Sequence, residues 1–207
     1  MRKSFVFVGL VAAVLMGAAP AFAQKIDFGA KVGPQWSTVT HFEDNSAGVT
    51  TEMRTGLAVG GFVAFKVAKK VEIQPEVLYS QEGVTGKFSS GSSSIEEKLK
   101  ADFIRIPVLI RLGDIGKPGI YGLFGPSFGI VASAKDEFDG VTTDFKDEVK
   151  GFETSLIFGG GYSMKHALIE ARYQLGLQDL AKNPDPGEST HKGRTFMLLF
   201  GVHGSKK

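Results

Sequence analysis

The chain has 207 residues, 43% of them hydrophobic and 22% charged, with 27 glycines and 17 phenylalanines, which is too apolar for a disordered chain and long enough for one domain. It has no cysteine, which excludes disulfide scaffolds, thiol catalysis and cysteine-based zinc or iron–sulfur sites. The 24 basic and 22 acidic residues give a net charge of +2. Discounting Arg2 and Lys3, which fall in a segment expected to be removed, leaves the signs balanced and no basic field for nucleic acid.

That segment is residues 1–23. Met1-Arg2-Lys3 is a short positive start, Phe5 to Met16 is an apolar run, and Ala21-Phe22-Ala23 is a small-x-small cleavage site before Gln24. Gly17 to Pro20 interrupts the run, short of the roughly 18 apolar residues a membrane helix needs. Residues 1–23 are therefore expected to be a cleaved secretory signal peptide, and residues 24–207 a single β-barrel domain.

From Asp27 onward the hydrophobic period is two. In Asp27 to Trp36, residues Phe28, Ala30, Val32, Pro34 and Trp36 share one face, and Asp27, Gly29, Lys31, Gly33 and Gln35 the other. Thr55 to Phe65 follows, then Val71 to Glu82, where Val71, Ile73, Pro75, Val77 and Tyr79 oppose Glu72, Gln74, Glu76, Ser80 and Glu82, with Leu78 out of pattern. Ala101 to Leu112, Gly119 to Val131, Gly151 to Tyr162, Ala167 to Gln178 and Gly193 to His203 complete eight predicted strands, Leu168 being the misfit in the seventh.

The connections alternate in length. Lys66 to Lys70, Gly113 to Pro118 and Ser163 to His166 are tight turns, whereas Thr40 to Arg54, Gly83 to Lys100, Ala132 to Lys150 and Asp179 to Lys192 read as long polar loops. An antiparallel meander puts alternate connections at opposite ends, so one end carries turns and the other loops, the asymmetry of transmembrane barrels. Strands of this length cross a bilayer at a tilt, and a sheet in lipid must close to pair its backbone. The predicted fold is all-β: an eight-stranded antiparallel up-and-down transmembrane β-barrel, apolar toward lipid, with four loops facing outward.

The inward set then contains Glu72, Glu76, Arg105, Arg111, Glu153, Glu170 and Arg172, with Gly29, Gly33, Ala58 and Gly60 where the wall needs room. An eight-stranded interior is filled by side chains, and charges removed from water must be paired. These seven residues are expected to form ion pairs plugging the lumen. Trp36, Tyr79, Tyr121, Tyr162 and Tyr173 suit interfacial girdles.

Several motifs resemble the PorT-like outer-membrane β-barrel family of Bacteroidetes over nearly the whole chain after residue 23. They are Gly29-Ala30-Lys31-Val32-Gly33, the run from Gln74-Pro75-Glu76 to Glu82-Gly83, Ile104-Arg105-Ile106-Pro107-Val108-Leu109, Gly125-Pro126, and Glu170-Ala171-Arg172-Tyr173 with Gly176-Leu177. The resemblance implies an outer-membrane barrel held in lipid, inserted by the outer-membrane assembly machinery, with one namesake linked to protein secretion. Many such barrels end on an aromatic residue read by that machinery, whereas here Phe200 is followed by Gly201 to Lys207.

Catalytic, cofactor and metal readings fare less well. Gly125-Pro126-Ser127-Phe128-Gly129 matches G-x-S-x-G, but no helix pattern follows it. His41, His166, His191 and His203 have no metal-ligand spacing and read as solvated, and Asp136, Glu137, Asp139, Asp144, Asp147 and Glu148 lack the spacing of a calcium loop. A non-enzymatic structural, adhesive or surface-complex role is expected, with no cofactor. One competing reading is a soluble periplasmic or secreted barrel with an apolar ligand in its lumen, which requires Ile104, Ile106, Val108, Ile110 and Leu112 to point inward. Another is a lipid-modifying barrel enzyme that uses His41 or His191.

Overall fold

The computed structural model describes residues 26–39, 49–90, 93–113, 118–138, 141–144, 151–178 and 192–206, so the expected signal peptide, His41 and His191 lie outside the described residues. The described residues form β1 (Ile26–Val39), β2 (Val49–Ala68), β3 (Val71–Ser90), β4 (Ser93–Gly113), β5 (Gly119–Phe138), β6 (Val141–Asp144), β7 (Phe152–Ser163), β8 (Ala167–Gly176) and β9 (Gly193–Lys206). The order β4-β3-β2-β1-β9-β8-β7-β5, closed by a β4–β5 pairing, makes a ring of eight antiparallel strands, with β6 added to β5 as a ninth. β6 pairs from Lys135↔Asp144 to Phe138↔Val141, on the loop side of the ring.

Closure lets each strand pair on both sides, which an open sheet in hydrocarbon could not do. Four of the lapses in the ladders lie beside a proline, which has no N–H to give. Pro34 interrupts β1–β9, Pro75 β2–β3, Pro107 β3–β4 and Pro126 β4–β5. Prolines are ordinarily kept to edge strands; a closed ring has no edge, and here each breaks one short stretch of a long ladder.

The period-two pattern resolves into an inside and an outside. Val32, Val77, Phe124 and Phe200 are outward and exposed, while Glu72, Glu76, Arg105, Arg111 and Arg172 are inward and buried. This is the reverse of what a soluble barrel with an apolar lumen requires: Ile110 and Leu112 face outward, and Arg105 and Arg111 lie inside. So large an exposed apolar belt is what hydrocarbon covers and water does not. Leu78 and Leu168, the two residues out of pattern, are buried inside the barrel. Leu168 joins Phe62 and Ala64 in a small inward cluster, and Leu109 packs with Tyr121, Leu123 and Ile157 in another.

Two expectations need correction. The segments read as loops at Gly83 to Lys100 and Ala132 to Lys150 are largely strand, and that at Thr40 to Arg54 is strand from Val49: β2 pairs β3 from Val49↔Phe88, β3 and β4 stay paired out to Ser90↔Ser93, and β5 pairs with β6. Strands β2 to β5 run 20 or 21 residues against 12 in β7 and 10 in β8, so one side of the wall is much taller. The apolar alternation stops there because no hydrocarbon faces those residues, and pairing alone leaves little trace in sequence. The second correction is Tyr121, which is buried in the lumen instead of facing the interface.

Gly83 marks where the tall wall leaves the ring. Its φ of 149° is one that L side chains rarely adopt. Next to it the β2–β3 register shifts between Met53 and Ala58. Ser37 Oγ accepts from Gly83 N at 2.9 Å and donates to Gly83 O at 3.0 Å, fixing the kink to β1. Gly83→Val is expected to destabilise the barrel by about 1–3 kcal/mol, read as a lower urea midpoint in lipid vesicles. An unchanged midpoint would show that the kink relaxes freely.

Candidate functional site

The lumen contains buried charges in three groups, stacked from the turn end to the loop end. In the middle group, Lys31 Nζ donates to Glu76 Oε1 and to both Glu170 oxygens, each at 2.9 Å. Arg172 grips Glu76 with Nη1 and Nη2, both at 2.7 Å, and reaches Glu170 Oε2 through Nε at 2.9 Å and Nη2 at 2.5 Å. Gln74 donates to Glu76 at 2.6 Å, and Lys31 also lies 4.2 Å over the Phe62 ring. Two cations and two carboxylates from β1, β3 and β8 thus neutralise one another with all four side chains at 0% exposure. Desolvation at that depth is tolerable only because nearly every charged atom has a hydrogen-bonded partner.

On the turn side, Arg111 Nη1 lies 3.4 Å from Glu72 Oε2, with its guanidinium 3.7 Å above the Tyr121 ring. Tyr121 then donates to Glu170 at 2.6 Å, joining this group to the middle one. On the loop side, Arg105 donates through Nε and Nη2 to the two oxygens of Glu82 at 2.8 and 2.6 Å, and Nη2 also pairs with Glu153 Oε2 at 2.6 Å. Ser80 donates to Glu82 at 2.8 Å, and the Phe103 ring lies 4.2 Å from the Arg105 guanidinium.

The structure therefore places all seven sequence-named residues, Glu72, Glu76, Arg105, Arg111, Glu153, Glu170 and Arg172, at inward buried positions. It brings Glu76, Glu170 and Arg172 together, Arg111 to Glu72, and Arg105 to Glu153. Sequence reasoning missed Lys31, Glu82 and Tyr121. The first two were legible by parity alone, since Lys31 alternates with Gly29 and Gly33, and Glu82 with Glu72 and Glu76.

At the turn end His203 joins three elements. Its Nδ1 is 2.9 Å from Asp27 Oδ2, and its Nε2 is 3.1 Å from the Met164 carbonyl and 3.4 Å from Ser163 Oγ. The order of groups is that of a serine–histidine–aspartate relay, but an Nε2 that donates to a carbonyl has no lone pair for the serine proton. The arrangement is a clasp holding β1, β9 and the β7–β8 turn together. His203 is thus no solvated terminal residue, whereas His166 is exposed on that turn. Ser127 of the G-x-S-x-G match is buried inside β5, opposite Ser155 of β7, with no helix after it. Among the described residues no group of three or more histidines and carboxylates gathers to hold a metal.

A closed ring of eight antiparallel strands, apolar outside and ion-paired within, defines an integral β-barrel of the transmembrane class. The family model for the outer membrane protein beta-barrel domain matches residues 22–182, and the chain belongs to that family. It is an outer-membrane protein. Solved structures similar to it include OprG from Pseudomonas aeruginosa, with 14% identity over 86% of this chain and 95% of that one, TM-score 0.42. Neisserial surface protein A is similar at 10% identity, with 87% and 97% covered and a TM-score of 0.46. Ail of Yersinia pestis is similar at 14%, with 87% and 100% covered and a TM-score of 0.42. No curated protein sequence matches the chain. Strand number and closure rest on the pairing itself, not on these distant likenesses.

Proposed function

We propose that the protein is a PorT-like outer-membrane anchor of structural, adhesive or surface-complex accessory role, without enzymatic activity. The observation that carries this reading is the sealed lumen: the middle group spans the interior from β1 to β3 and β8 with fully buried side chains. A barrel plugged in this way passes no solute, and the surface left for function is the loop side. There the tall wall of β2 to β5 carries the connections outward. The assembly machinery would insert the chain after removal of residues 1–23, and a surface or secretion complex would engage it through the loop side.

Two measurements test this reading. The carbonate-washed outer-membrane fraction should contain a band whose gel mobility shifts on boiling, as a closed barrel gives. In planar bilayers the purified protein should give no stable conductance steps. Recovery in the soluble fraction would sink the anchor, and steady open-channel current would sink the plug.

A further inference from the structure

The charges of the chain are divided between the two ends of the barrel. The connections that the sequence places at the loop end, 40–54, 83–100, 132–150 and 179–192, contain fourteen acidic and nine basic residues. At the turn end the described residues include Lys66, Lys69, Lys70, Arg111, Lys165 and Lys206, against the carboxylates of Asp27 and Glu72. Both carboxylates are engaged within the barrel, Asp27 at 2.9 Å from His203 Nδ1 and Glu72 at 3.4 Å from Arg111 Nη1. The connection 114–117, outside the described residues, adds one charge of each sign, Asp114 and Lys117. A chain whose signs balance after residue 23 thus has a basic turn end.

Two of the turns carry lysines at their tips. β2 and β3 are joined by Lys69 and Lys70 alone, and β7 and β8 by Met164, Lys165 and His166, where Met164 N donates to the Ala167 carbonyl at 2.8 Å. Lys69, Lys70 and Lys165 are all exposed. In the ring order these turns are separated by β1 and β9 on one side and by β4 and β5 on the other, so they stand across the barrel from each other. The apolar belt reaches close to both. Phe28, Leu112, Ile120 and Tyr162 are exposed within three residues of the turn-end limits of β1, β4, β5 and β7.

A lysine just beyond the edge of the hydrocarbon places its ammonium among the lipid headgroups. Turns of two and three residues stay near that layer, and cations on opposite sides of the ring surround the barrel instead of forming one patch. That arrangement suits a continuous leaflet better than a single folded partner, and basic residues beside a membrane are drawn to anionic lipid. We propose that the turn end is a contact surface for anionic phospholipid, with Lys69, Lys70 and Lys165 paired to headgroup phosphates of the turn-side leaflet. The contact rests on immersion of the apolar belt in lipid. The acidic excess at the other end disfavours the same lipids there, so the division of charge gives each end of the barrel its own leaflet.

The test uses the full chain refolded in phosphatidylcholine vesicles containing a trace of nitroxide-labelled lipid, whose motionally restricted spectrum reports the lipid at the barrel wall. The wild type should select labelled phosphatidylglycerol over labelled phosphatidylcholine by about two- to fivefold, the upper figure being the effect of one lysine near an anionic surface. High salt should reduce the preference. Lys69→Gln, Lys70→Gln and Lys165→Gln combined should abolish it. Lys98→Gln, Lys100→Gln and Lys135→Gln combined, which removes the same charge from the loop-side wall of β4 and β5, should leave it in place. Lys165→Gln alone, at a turn tip outside the ladders, should weaken it and serves if the triple variant does not refold. No headgroup preference in the wild type would overturn the contact, as would a preference undiminished in the turn variants. An equal loss in the loop-side variant would also overturn it, by showing an effect of net charge alone. Absence of restricted lipid of either kind, with no change of gel mobility on boiling, would sink the barrel in lipid itself, and the boiling shift tells that failure from the others.

Discussion

Arg172→Met is expected to destabilise the barrel by about 3–5 kcal/mol, the range for removing one partner of a buried ion pair. Arg172 makes four hydrogen bonds to Glu76 and Glu170, and without it Lys31 alone faces two carboxylates at zero exposure. The packing lost is small, since methionine fills much of the same volume, so the penalty is electrostatic. Arg172→Met combined with Glu170→Gln restores neutrality around Lys31 and Glu76 and should regain a large part of the loss. A urea titration in vesicles, followed by Trp36 fluorescence and by gel mobility, measures both. If the single variant loses less than about 1 kcal/mol, the range of an exposed pair, water reaches the lumen and the plug is not dry.

The same cluster shows what was legible in the sequence. Parity carried the wall: once period two is read, Glu72, Glu76, Glu170 and Arg172 fall on the face opposite Ile73, Val77, Ile169 and Tyr173, and burial follows that division. Which inward carboxylate meets which inward cation was not legible, because it depends on the relative stagger of non-adjacent strands. Lys31 and Glu76 are 45 residues apart on strands separated by β2, and Arg172 meets Glu76 from across the lumen. Stagger is set by barrel closure, a property of all eight strands together.

Tyr121 failed for a local reason. It alternates with Leu123, Gly125, Ser127 and Gly129, and the opposite face carries Ile120, Gly122, Phe124 and Pro126, so neither face is polar enough to be told from the other. The Arg111 guanidinium above its ring and the Glu170 acceptor at its hydroxyl fix it inside. The tall wall was missed because its sequence shows no lipid-facing periodicity. The serine-rich run Ser89 to Ser94 looks like a loop in sequence whether or not its residues pair.

A charge on the outer face should cost stability according to depth, and Val77 and Ile120 separate the cases. Val77 is outward, 56% exposed and mid-way along the part of β3 that lies in the ring. Ile120, 80% exposed, is the second residue of β5, at the turn end. In hydrocarbon an arginine at mid-depth destabilises by about 2–4 kcal/mol, and one near the interface by about 0–1 kcal/mol, because its side chain reaches the headgroups. Val77→Arg should therefore lower the urea midpoint in vesicles far more than Ile120→Arg. In water the order would not hold, since both residues are exposed and neither arginine would lose solvation. Equal effects at the two positions would mean that the belt containing Val77 is not immersed in lipid, which neither the inward ion pairs nor the closure of the ring could establish alone.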